Sequence, residues 1–150
     1  MGVPYEALKG QLTSLRATLE KAFSPDTAAA GFEGVTPSTG QCAAASLVVY
    51  ELLGGDLVSA KVQGQSHWFN RIYVEEQVLD VDVTGDQFGL PGLQMAEANA
   101  LYADSRVRNS TEANPETIAR AIRLAERANV EPAARGLREL LSRNSPRVLG

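Results

Sequence analysis

Apolar positions along this chain follow two rhythms, one of three to four residues and one of two. Tyr5, Leu8, Leu12, Leu15, Leu19 and Phe23 recur at helical spacing, which predicts a helix over residues 4–22 with Pro4 in its first turn. The tract "SPDTAAAGFEGVTPSTGQ" (24–41) loses that period and is rich in turn formers, so it reads as a loop. Loops of this length inside a compact unit are often functional. From Gln41 to Tyr50 no charged residue occurs, which predicts a helix over 41–53 buried on most faces. Gly54 and Gly55 end it.

The rhythm then shortens to two. "DLVSAKV" (56–62), "HWFNRIYV" (67–74) and "QVLDVDV" (77–83) read as strands, and the short turn near 75–77 implies antiparallel neighbours. Residues 85–110 read as a loop with a helical piece near "LQMAEANALYA" (93–103). Two helices follow, over 115–129 and 132–143, with Pro115 and Pro132 each suited to a first turn. A buried helix on an antiparallel sheet is an α+β layout. The expected organisation is a main domain over 1–110, with a helical extension over 111–150 packed on or beside it.

Composition changes this picture little. The chain has 150 residues, enough for one core, with 44% apolar and 21% charged side chains. No apolar run reaches membrane-spanning length, and the N-terminus lacks a basic segment followed by an apolar one. A single cysteine gives no reason to assume an oxidising compartment. A cytoplasmic, non-membrane protein is expected. Residues 1–100 hold 5 basic and 12 acidic side chains, whereas 101–150 hold 9 arginines and 6 acids. Those arginines alternate with glutamates at helical spacing, as on a solvated, salt-bridged face. No dense basic run with interleaved aromatics points to nucleic acid.

The chemistry-bearing residues are few. Cys42 opens the apolar helix, and His67, the only histidine, opens the second strand. Asp80 and Asp82 lie on the third strand, on the face opposite Leu79, Val81 and Val83. A thiol at a helix N-terminus favours its thiolate through unpaired N–H groups and the helix dipole. A histidine within reach can act as base, a carboxylate can fix its tautomer, and the cysteine N–H can meet an oxyanion. One Cys and one His fall short of a structural zinc set, so no metal or other cofactor is expected. Each residue also has a plain structural role: Cys42 as a small apolar filler, His67 as a hydrogen-bonded core residue, the aspartates as a wet strand face.

The stretches "SPDTA" (24–28), "PSTGQCAAASLVVYELLGGDL" (37–57), "SHWFNRI" (66–72) and "LDVDVTGDQF" (79–88) resemble the small bacterial YunG-like proteins, placed in the broad papain-like, transglutaminase-like cysteine group. The resemblance covers about residues 20–90. It implies a papain-like core with Cys42 as nucleophile, His67 as base and Asp82 as orienting acid, with Asp80 as the alternative acid. Asn70, Thr84, Gln87 and Phe88 also fall on pattern positions. Gln41, Ser38, Trp68 and Asn70 become candidates for the oxyanion or substrate side of the site. The chain departs from the pattern at Thr36-Pro37-Ser38, where Asn-Pro is usual, at Phe69, where Trp is usual, and in lacking Asp-Gly between the second and third strands.

Two functions follow as expectations. The first is a cysteine-dependent amide hydrolase or acyl transferase (peptidase, deamidase or transglutaminase-type) that works through a thioester on a protein or peptide substrate. The second is an inactive papain-like binding module whose arginine-bearing C-terminal helices contact a partner.

Overall fold

The computed structural model describes residues 5–29, 40–75, 77–88 and 91–144. The order is α1 (Tyr5–Ala22), α2 (Cys42–Leu53), β1 (Asp56–Val62), β2 (Gln65–Val74), β3 (Gln77–Asp82), β4 (Gln94–Glu97), β5 (Arg106–Arg108), α3 (Pro115–Arg127) and α4 (Glu131–Asn144). The strands form one antiparallel sheet in the order β4-β3-β2-β1-β5.

The apolar run of α2 explains the layering. Ala44 through Val49 are all buried, which requires neighbours on both sides of the helix. One side meets the sheet face that carries Leu57, Ile72, Leu79 and Val81, and the other meets α3 and α4 through Ile118, Ala121, Leu124, Ala133, Leu137 and Leu140. The C-terminal helices thus pack directly on the main domain and complete the burial of α2. Asn114 caps α3 by accepting from Thr117 N–H at 2.8 Å, with Pro115 in the first turn. Exposed Arg138 pairs with Glu126 and Glu131, as the alternating charges suggested.

The opposite sheet face is smaller. Val58, Ala60, Phe69 and Tyr102 form a second apolar cluster there, under the segment joining β4 to β5. Arg71 and Asp80 face the same way, paired at 2.7 Å.

Two expectations are corrected. The helical piece at 93–103 does not form: residues 94–97 are β4, paired with β3, and the chain then turns through Asn99 at φ 71°. Leu, Gln, Met, Ala and Glu favour helix locally, but the open edge of β3 offers backbone partners that an isolated short helix cannot match. Residues 106–108, read as loop, are β5 on the far edge. β2 also starts earlier than its apolar residues suggest. Gln63 (φ 52°) and Gly64 (φ 80°) make a two-residue left-handed turn, so polar Gln65 pairs directly with Val62.

Candidate active site

Cys42 is the first residue of α2 and is partly exposed. The first N–H groups of any α-helix lack intrahelical acceptors. Gln41, in the N-cap position, makes no side-chain cap to them, and the first turn carries no acid. Among the described residues, the thiol therefore stands beside open donors and away from a nearby carboxylate on its own helix.

His67 and Asp82 lie on neighbouring strands with Phe69 between them in sequence. β2 and β3 are antiparallel, so the two side chains meet diagonally on the sheet face opposite α2. His67 Nε2 lies 2.8 Å from Asp82 Oδ2, and both residues are almost wholly buried. The Cys42 thiol is within hydrogen-bonding reach of the same imidazole. The order is thiol, imidazole, carboxylate.

The electrostatics follow from this order. Burial disfavours the imidazolium, but hydrogen bonds to Asp82 and Cys42 and the charges of both outweigh it, so the His67 pKa is raised to about 9. Burial pushes Asp82 upward, yet the His67 hydrogen bond and charge, the Tyr102 hydroxyl and the Thr84 N–H hold it below the usual carboxylate range. Thr84 supplies two donors to Asp82 Oδ1, its N–H at 2.9 Å and its hydroxyl at 3.1 Å. Tyr102 donates to Oδ2.

The other sequence candidates are placed differently. Asp80 is taken by Arg71 at 2.7 Å and by the Asn99 N–H at 2.8 Å, so Asp82 is the acid at the imidazole. Asn70 lies on the α2 side of the sheet and donates to the Ser46 carbonyl at 2.9 Å, tying β2 to α2. Trp68 also lies on that side, packed on the main core with Arg108 stacked 5.4 Å from its ring centre. Ser38 and the side chains of Gln87 and Phe88 lie outside the described residues.

Gln41 is buried, and its amide is committed to the Ser24–Thr27 turn: Nε2 donates to the Ser24 carbonyl at 2.9 Å, and Thr27 Oγ1 donates to Oε1 at 2.7 Å. The same turn is gripped from outside by α3. Arg127 pairs with Asp26 through both nitrogens, reaches Ser24 Oγ at 2.7 Å, and holds Asp26 well below the usual carboxylate range. Arg123 donates to the Asp26 carbonyl at 3.0 Å. Gln41 thus anchors the residue before the thiol to the rest of the fold. Gln41→Leu is expected to cost about 1–3 kcal/mol, because it strands buried partners in the turn. Urea unfolding measures it.

Three residues in and around the site were not legible in the chain. Tyr102 fell inside the segment read as helical, and no spacing linked it to Asp82. Asp26 and Arg127 are 101 positions apart, and only the docking of α3 pairs them. Among the described residues no group of three or more His, Cys, Asp and Glu side chains could hold a metal ion, and no helix is long and apolar enough to cross a membrane.

The sequence matches the model of the YunG protein family over residues 11–129. This chain belongs to the YunG family. The YunG match reaches well past the 20–90 stretch that carried the resemblance: it takes in most of α1 and all of α3, the helix that grips the Ser24–Thr27 turn. No curated protein and no solved structure matches the chain.

Proposed function

We propose that this YunG-family protein is a cysteine-dependent amide hydrolase or acyl transferase with a papain-like core, acting on a protein or peptide substrate. The observation that carries the reading is the continuous order of thiol, imidazole and buried carboxylate, with the thiol on an open helix N-terminus. Cys42 sulfur, as thiolate, attacks the amide carbonyl carbon, and the electron pair moves to the oxygen. The Cys42 N–H is one donor positioned for that oxyanion. His67 then passes its proton to the leaving nitrogen as the C–N bond breaks, leaving a Cys42 thioester. Water or an amine, deprotonated by His67, attacks the thioester and regenerates the thiol. Asp82 keeps the imidazole oriented throughout.

The binding-module reading receives less support, because Arg123, Arg127 and Arg138 are engaged within the chain. An activated acyl ester incubated with the protein should leave a hydroxylamine-labile acyl adduct on Cys42, visible by intact mass. The adduct should be absent in Cys42→Ala. A wild-type protein that takes up no acyl group while folded refutes the reading.

A further inference from the structure

Tyr102 has no part in the order of thiol, imidazole and carboxylate, yet it is built into it. Its hydroxyl donates to Asp82 Oδ2, the same oxygen that lies 2.8 Å from His67 Nε2. Its ring meets the His67 ring edge-on, with centres 5.2 Å apart and planes at 79°, and meets Phe69 at the same separation. The residue is only 8% exposed. A phenylalanine would serve this apolar cluster equally well, and burying a hydroxyl is costly unless it is paired. Packing alone therefore accounts for the ring but not for the oxygen.

We propose that Tyr102 is a positioning residue: by sharing Asp82 Oδ2 with His67 Nε2 and pressing its ring edge on the imidazole, it sets how tightly Asp82 holds His67. The inference rests on the reading of Cys42, His67 and Asp82 as one site and deepens it. Two donors on one carboxylate oxygen compete, since each withdraws charge that the other would use. Oδ1 cannot relieve the competition, because Thr84 fills it with two donors. Among the described residues, the titratable groups facing His67 are Cys42 from α2, Asp82 from β3 and Tyr102 from the β4–β5 segment; Phe69 adds an uncharged ring.

The test is an NMR titration of the full-length protein, whose single histidine makes the ring signals unambiguous. Tyr102→Phe leaves Asp82 Oδ2 to His67 alone, so the His67 midpoint should rise by about half a pH unit or more. Replacing the tyrosines with 3-fluorotyrosine makes the phenol a stronger donor, so the midpoint should fall. Shifts in these opposite directions support the proposal. A loss of melting temperature in Tyr102→Phe with an unmoved midpoint overturns it and leaves Tyr102 a packing residue. Should Tyr102→Phe fail to fold, the fluorotyrosine protein decides, and an unmoved midpoint there overturns the proposal equally. The titration needs no turnover. Opposite shifts with an inert Cys42 uphold Tyr102 and sink acyl transfer; a fixed midpoint with a reactive Cys42 does the reverse.

Discussion

His67→Ala is expected to slow iodoacetamide alkylation of Cys42 at pH 6 by about a hundredfold. An ordinary cysteine with a pKa near 8.5 is only about 0.3% thiolate at that pH. A thiol beside an imidazolium carries a larger thiolate fraction there and is alkylated faster. Asp82 and Cys42 together keep the His67 proton in place up to about pH 9, so an imidazolium stands beside the sulfur throughout pH 6 to 8. Removing the ring removes the cation beside the sulfur. The variant should then follow the steep profile of a free thiol, with its rate rising about tenfold per pH unit below 8. A wild-type protein that already shows the free-thiol profile would sink the pairing of Cys42 with His67. Because the chain has one cysteine and one histidine, no second site confuses the measurement.

Asp82→Asn is expected to have the largest effect on stability, about 3–5 kcal/mol, because it leaves buried donors facing an amide that cannot satisfy them all. His67 Nε2, Tyr102 and both donors of Thr84 converge on this one carboxylate. The pH dependence should change with it. The folded His67 pKa lies above its unfolded value, so its contribution is complete below about pH 6.5 and is lost as pH rises through about 9. The folded Asp82 pKa lies below its unfolded value, so its contribution is present above about pH 4 and is lost as pH falls further. Wild-type stability should therefore fall by about 3 kcal/mol between pH 6.5 and 9 on account of His67. In Asp82→Asn the burial of the imidazole is no longer opposed by a carboxylate, and that decline should vanish or reverse. Denaturant unfolding of both proteins across this range measures it. A wild-type protein equally stable at both ends would contradict the buried ion pair.

Some of this was legible from the chain because it depends on local period and on single residues. The apolar run from Ala43 to Val49 demanded a helix buried on both sides, and Gly54 ended it. Alternation over 56–62 and 77–82 marked strands, and the short connections between them made the pairing antiparallel. The presence of one cysteine, at a helix start, narrowed the candidate nucleophile to a single position.

The rest needed tertiary structure, for one reason: the deciding partners are far apart in sequence and carry no period that ties them together. Asp80 and Asp82 are equivalent by alternation, and only the arrival of Arg71 and Asn99 at the first leaves the second for His67. Residues 94–97 have the composition of a helix, and the unpaired edge of β3 makes them a strand. Gln41 sits beside the thiol in sequence, but the Ser24–Thr27 turn claims its amide. Tyr102 reaches Asp82 from 20 positions away. The sequence by itself determined which residues could act. Packing of strands and helices decided which of them meet, because a buried donor or acceptor must find a partner wherever the fold supplies one.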